Sequence, residues 1–537
     1  MFKMKNTNAS SAKTNVIVWL LAFIPVIVYK FLIIIDYVSK YVEEDQLAMW
    51  YTTAMYGHLS GFEPHFIGQS YGSSLEALVA VPFYWLGIPL WYAVPLATFI
   101  IMLLPYALCS FVLLKRNKLV EALVVILLVL TNNWKFDMLT AMPRGFISGF
   151  VFTFTGILLI EKYKRERAQV FLGLILIAVG YTNCEATIAI VALAALHYIM
   201  TRENKKQDVK EIVIGLLVGA AVIIYSNIIF YKMNPYSNVY QIAINGFDLG
   251  VFAQNIGDIG RLFSAFSFVS IANVPISLLA LIIGSFVLLI KKKNYKMCIW
   301  LGCMVVGSIA MLALRRMVIY TNEFIYCRER MLLFVGYAVL LYVFYLFYDG
   351  TINLSRLDAI KKVGLGKASV VVVVVILVLA CIKILIFEKY VIKLPQLYDG
   401  AHMYVYKVQD IVDNAQILSR VTKEENVDML FFTDGLGISY GTTAINYGQY
   451  EAYYYEMDRR SGVYQKMLDG VYTGRVACVN YVDNVITDFV EIEISNMNLV
   501  EWMSSVGMTP GNKWQVVGAT CDGKMSFVVV GAYSLED

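Results

Sequence analysis

The chain is 537 residues long, 59% hydrophobic and only 16% charged, with a mean hydropathy of +0.64. That is more apolar side chain than one soluble core can hide, so a soluble globular protein is excluded and a polytopic membrane protein is expected. A formal net charge of +4, with the basic residues in short clusters, excludes a nucleic-acid-binding stripe.

The first apolar run, residues 16–35, follows Lys3, Lys5 and Lys13 and has no small-residue cleavage site, which predicts a retained helix with its N-terminus in the cytoplasm. Residues 37–74 then form an outer loop. It opens on the acidic knot Glu43-Glu44-Asp45-Gln46 and continues through His58, Glu63, His65 and the run GQSYGSSLEA, residues 68–77. The apolar stretch 75–87 reads as a juxtamembrane or re-entrant helix. Further spans are expected at 91–114, 119–131, 146–160, 168–181, 186–200, 212–230, 271–290, 297–314, 331–347 and 369–387, about eleven helices in all. With 75–87 left uncrossed, the basic clusters KRNK (115–118), KYKRER (162–167), RENKK (202–206) and KKKNYK (291–296), and the set with Lys361 and Lys362, all fall on the cytoplasmic side.

An odd number of spans puts the tail outside. Beyond Phe387 strand-like runs (429–433, 526–533) alternate with charged helical stretches and the turns TDG, TPG and CDG. The expected architecture is mainly α: a transmembrane helical bundle over 1–389, then a small extracytoplasmic α/β domain over 390–537. Of eight cysteines, Cys109, Cys184, Cys298, Cys303 and Cys381 lie in or beside apolar stretches, and no CxxC or Cys/His zinc cluster occurs. Neither a disulfide framework nor a structural metal is expected.

Three constellations carry chemistry. The acidic knot lies just beyond the first helix, where partial desolvation raises a carboxylate toward a useful base, although adjacent acids also suit a solvated turn. In WKFDMLTAMPRGF (134–146) Asp137 and Arg144 are placed at the membrane surface, with Pro143 and Gly145 breaking the chain around the arginine. An arginine at such a helix end also suits plain snorkelling to lipid phosphates. Arg315, Arg316, Tyr320, Glu323, Arg328 and Arg330 fall in one outer loop, against the positive-inside trend. A phosphate on a bound lipid is the natural counter-ion, because guanidinium grips phosphate oxygens in a fork; Glu323, Glu329 or bulk anionic headgroups also suffice. Glu185 is a candidate as an ionisable group near membrane depth. His58 and His65 with Glu63 supply donor types for a divalent cation beside the knot, and equally suit an interface without metal. Lys30 is expected to snorkel outward with no further role.

A retained first helix, an outer loop opening on acids and the segment GQSYGSSLEALVAVPFYWLG (68–87) resemble the GT-C class of polytopic glycosyltransferases. The closest likeness is to bacterial relatives of the dolichyl-phosphate-mannose protein mannosyltransferases. RERMLLF (328–334) resembles the Arg-rich start of a late helix in that class. The resemblance implies a polyprenyl-phosphate-linked sugar donor and a catalytic carboxylate at Asp45, with Glu44 next and Glu43 beside it. Arg328, Arg330 and Arg316 are the implied donor-phosphate ligands. Asp137, as a second outer acid, with Arg144, His65, Gln69, Tyr71 and Glu76, forms the implied supporting and acceptor set.

The chemistry fits such residues: glycosyl transfer from a lipid phosphate needs a base for the acceptor hydroxyl and cations for the leaving phosphate. The expectation is a bacterial-type plasma-membrane glycosyltransferase acting on a cell-surface glycan, lipid or protein. No nucleic acid is expected as a partner. No cofactor is implied beyond an optional divalent metal. The rival readings are a lipid-linked saccharide transporter or flippase, and a polymerase or ligase using the same carrier. A transporter needs polar groups inside the bundle, and the spans hold few, chiefly Lys30, Glu121 and Lys383.

Overall fold

Each long apolar run becomes a helix, because lipid offers the backbone no other hydrogen-bond partner. A computed structural model describes residues 9–61, 72–162, 167–201, 206–225, 228, 246–317, 330–355, 366–391, 405–432, 436–454, 474–481, 514–522 and 525–532. The helices are α1 (Ala9–Ile33), α2 (Glu44–Gly57), α3 (Leu75–Trp85), α4 (Leu90–Lys115), α5 (Leu119–Leu128), α6 (Trp134–Ala141), α7 (Ser148–Lys162), α8 (Arg167–Asn183) and α9 (Thr187–Thr201). They continue with α10 (Lys206–Ile224), α11 (Leu249–Gly257), α12 (Ile259–Ser264), α13 (Ile276–Lys291), α14 (Tyr295–Ala310), α15 (Phe334–Tyr348), α16 (Lys367–Val391), α17 (Val408–Glu424) and α18 (Leu436–Ile445). Among the described residues, 4 stretches are long and apolar enough to cross a bilayer: Lys13–Val38, Leu90–Lys115, Tyr295–Ala313 and Lys367–Lys389. Shorter apolar helices fill the bundle between them.

Glycine sets the closest helix contact. A methyl placed on Gly149 would lie 2.4 Å from the Gly180 carbonyl oxygen, and one on Gly156 2.4 Å from that of Gly173. Two glycine rows, seven residues apart on each helix, thus let α7 and α8 pack backbone to backbone, as membrane helices do where small residues face each other. A substitution at either row has backbone to push against, so the hairpin fixes where α7 begins.

The outer loop expected for residues 37–74 is corrected by the structure. After α1 a π-turn at Ile34–Val38 leads into strand β1 (Tyr41–Glu43), and the acidic knot opens helix α2. The chain turns helical there for local reasons: Glu43 is extended, the Gln46 side chain accepts the Glu43 N–H at 3.1 Å, and Glu44 and Asp45 occupy the first turn, where the helix dipole favours negative charge. The following apolar residues bury Leu47, Met49 and Trp50. Helix α3 has 11 residues, about 16 Å of length, half a hydrocarbon core.

The C-terminal part forms strands β2 (Val405–Lys407), β3 (Met429–Phe432), β4 (Glu451–Tyr454), β5 (Val476–Tyr481), β6 (Trp514–Asp522) and β7 (Met525–Ala532). Five of them make a mixed sheet in the order β4-β3-β5-β7-β6, with β3 parallel to β4 and β5, and β7 antiparallel to β5 and β6. Strand β2 instead pairs antiparallel with β1, Val42 opposite Tyr406. Val408 and Ile411 of α17 and Tyr440 and Ala444 of α18 share one apolar cluster with Leu47, Trp50 and Ala54 of α2 and Ala77 and Ala80 of α3. The acid-bearing helix is therefore packed from one side by α3 and from the other by the C-terminal helices.

Candidate active site

The site is built where α2 begins. Glu43, last residue of β1, turns its carboxylate onto Arg144, whose Nε and Nη2 both engage it. The two side chains are 14% and 4% exposed, so the pair is largely removed from solvent screening. Burial pushes the Glu43 carboxyl up to about 7, with Arg144 and Arg330 pulling it down and Asp45 and Glu44 pushing it further up. Glu44 is also raised, first by burial and then by Asp45, against a hydrogen bond to Tyr406 of β2. Asp45 stays half-buried and makes no ion pair among the described residues. One turn of backbone thus presents a held carboxylate, a strand-linked carboxylate and an open one.

Arg144 is held there by a loop built for it. Gly145 has φ +75°, and a methyl on it would sit 2.5 Å from the Ser73 carbonyl oxygen and 2.8 Å from Ser73 N, so the 142–146 segment lies against 72–74 with no room for a side chain. Glu76, fully buried, ties the junction. Its Oε1 accepts from Gly145 N and Ser148 Oγ, both at 3.2 Å, and its Oε2 accepts from Thr98 Oγ1 at 3.2 Å. The SSLEA and PRG motifs are therefore two halves of one anchor. Glu76 is thus a buried internal brace for the Arg144 loop, within the supporting and acceptor set implied by the resemblance.

Arg330, preceding α15, reaches the same place. Its guanidinium lies 4.8 Å from the centroid of the Phe146 ring and close enough to Glu43 to lower that carboxyl. Two arginines and three acids thus converge from three separate stretches of chain.

Asp137 does not join them, and its expected place at the membrane surface is corrected. It is fully buried, bonded through Oδ1 to Lys30 Nζ at 2.5 Å and through Oδ2 to Lys383 Nζ at 2.5 Å and Tyr29 OH at 2.7 Å. Lys383 also donates to the Asn132 carbonyl. Lys30 does not snorkel either: at 2% exposure it points inward, because a carboxylate at membrane depth is a better partner than distant headgroups. Sequence reasoning missed this triad. The available signal was that two lysines and one acid lie within otherwise apolar or buried segments.

The remaining candidates divide. Glu185 is exposed. Arg315 faces Asp248 at 3.8 Å with both about half exposed, a screened surface contact. His58 is exposed, its Nε2 3.2 Å from Tyr84 OH and its ring 5.0 Å from that of Tyr447. Glu121 caps the backbone N–H groups of Leu354 and Ser355 at 2.8 and 3.0 Å. Glu63, His65, Gln69, Tyr71, Tyr320, Glu323, Arg328 and Glu329, and the Arg316 side chain, lie outside the described residues. Among the described residues no three His, Cys, Asp or Glu side chains group as metal ligands.

No family model and no curated protein matches the chain. Among solved structures it is similar to apo ArnT from Cupriavidus metallidurans, with a TM-score of 0.50 and 11% identity, covering 95% of this chain and 97% of that one. It is also similar to ArnT of the same organism bound to undecaprenyl phosphate, with a TM-score of 0.45 and 9% identity over 97% and 98% of the two chains. The chain shares the mainly helical membrane fold of apo ArnT.

Proposed function

We propose that the chain is an integral-membrane glycosyltransferase of GT-C type that moves a sugar from a polyprenyl-phosphate carrier to a hydroxyl acceptor. The observation that carries this is the convergence of Arg144 and Arg330 on Glu43, two residues before the half-buried Asp45 at the mouth of α2. A base and a divided cationic clamp are the two parts such a transfer requires. Asp45 takes the acceptor proton. Glu44 holds Asp45 in place from β2. Arg144, Arg330 and, from the neighbouring segment, Arg328 and Arg316 receive the phosphate as its charge grows. Glu43 aims Arg144 and stops two adjacent guanidinium groups from repelling each other. The fold shared with apo ArnT supports the GT-C reading. Within that class, the finer likeness to the protein mannosyltransferases rests on the 68–87 and 328–334 motifs. In this reading α2, α3 and the C-terminal α/β domain lie outside the plasma membrane and the N-terminus inside, with the C-terminal domain helping to select a glycan, lipid or protein acceptor.

A transporter or flippase of the same lipid is a weaker reading, because the polar groups within the bundle are already engaged: Asp137 by two lysines and a tyrosine, Glu121 by backbone. A polymerase or ligase using the same carrier would need the same base and clamp. The decisive variant is Asp45→Asn, which keeps shape and removes the proton acceptor. Transfer of radiolabelled sugar in reconstituted vesicles should fall ~100-fold or more with donor binding retained. Normal transfer by Asp45→Asn and by Glu44→Gln alike would reject the mechanism.

A further inference from the structure

The buried triad sets two lysines against one carboxylate. Asp137 on α6 faces two lysine amines, Lys30 on α1 and Lys383 on α16, each at 2.5 Å. The other groups around them are neutral: the Tyr29 hydroxyl, the Asn132 carbonyl, and the Tyr29 and Phe268 rings. Among the described residues no second carboxylate lies within ion-pair distance of either lysine. A buried pair needs one cation; a second costs desolvation with no partner to offset it. As a helix clamp alone, the arrangement has one lysine too many.

We infer that Asp137 keeps both lysines protonated and that the resulting surplus positive charge of the Lys30–Asp137–Lys383 triad acts on the anionic phosphate held at Arg144 and Arg330, as a fixed field from behind the site. The inference rests on the proposed donor reading. The Cα path from Asp137 to Arg144 is four helical residues followed by three more, at most roughly 16 Å, which sets the order of the separation between the triad and a phosphate at Arg144. The material between is packed protein and not water. A unit charge at that distance with an effective dielectric near 20 changes affinity roughly sixfold for each negative charge on the ligand. The two lysines are positioning residues that do not touch the ligand. Their mark is dependence on ligand charge, which a purely structural clamp lacks.

The test uses the full chain in detergent and two probes: a polyprenyl monophosphate, near −2 at pH 8, and a polyprenyl phosphosugar, a diester of charge −1. Lys383→Gln removes the charge while keeping a donor for Asn132 and Asp137. It should weaken the diester roughly sixfold and the monophosphate by about the square of that factor. Lys383→Arg, which keeps the charge, should bind both nearly as wild type. Lys30→Gln removes the same charge from the other side of Asp137 and should reproduce the pattern, so a folding failure of one variant leaves the other decisive. The loss should persist in 0.5 M salt, since a buried charge is poorly screened. Equal loss for the two probes, or none, overturns the inference while leaving the donor reading intact. A wild-type chain that binds neither probe overturns both.

Discussion

Replacing Gly145 by alanine probes the anchor that carries Arg144, and the cost can be worked from the backbone. At φ +75° an L-residue costs ~1–2 kcal/mol. The added methyl would meet two backbone atoms, Ser73 O at 2.5 Å and Ser73 N at 2.8 Å, so the segments must part by about 1 Å to reach ordinary contact. That separation breaks the 3.2 Å bond from Gly145 N to Glu76 and leaves a buried carboxylate short of a donor, a further ~1–3 kcal/mol. The sum is about 2–5 kcal/mol. Gly87 is the matched control: φ is +78° but nothing lies within 4 Å of the added methyl, so Gly87→Ala should cost only the ~1–2 kcal/mol conformational part. Denaturant unfolding of both variants in one detergent reads the difference, and polyprenyl-phosphate binding should fall for Gly145→Ala alone because Arg144 moves with its neighbour. Equal stabilities and equal binding for the two alanine variants would show that the 72–74 and 142–146 segments are not docked as described.

The Glu43 carboxyl is raised by burial to about 7 from an ordinary 4.5, so the folded state holds a proton that the unfolded chain has lost. Its contribution to stability is therefore full below about 4.5 and declines as pH rises toward 7; Glu43→Gln should flatten that part of the stability profile, and an unchanged slope would place the group elsewhere. Gly156→Val puts two methyls into a gap where one already lies 2.4 Å from a carbonyl oxygen, so α7 and α8 must separate. The variant should lower the detergent melting temperature well below that of Gly284→Val, where nothing lies within 4 Å; matching melting temperatures would mean the glycine rows do not set the contact.

What the sequence made legible was periodic or local. Runs such as 91–114 and 369–387 became α4 and α16 nearly residue for residue, since bilayer-length apolar segments have one stable form. The knot at 43–45 and the PRG break were visible as clustered charge and as backbone punctuation. Their partnership was not, because Glu43 and Arg144 meet only through a fold that brings residues about a hundred positions apart together. The same holds for Lys30, Asp137 and Lys383, each unremarkable within its own segment. Helix α2 was read as loop because its charged first turn looks solvated, whereas tertiary packing against α3, α17 and α18 buries the rest of it. Glu76 is a related case: sequence shows that a carboxylate is present but not which way it faces.

The pairing of β1 with β2 bears on how the protein is made. Glu43 and Val405 are ladder partners, yet some 360 residues of synthesis separate them, roughly 20–70 s at ribosomal rates of 5–20 residues per second. For that interval the acidic turn exists without the strand that orients it, and Glu44 without its tyrosine. A chain released early would carry the described helices α1 to α16 and an unassembled candidate site. On the proposed reading, competence for transfer thus comes last in biogenesis, after the membrane helices are in place, and an incomplete product stalled in the bilayer would bind the proposed donor lipid without consuming it.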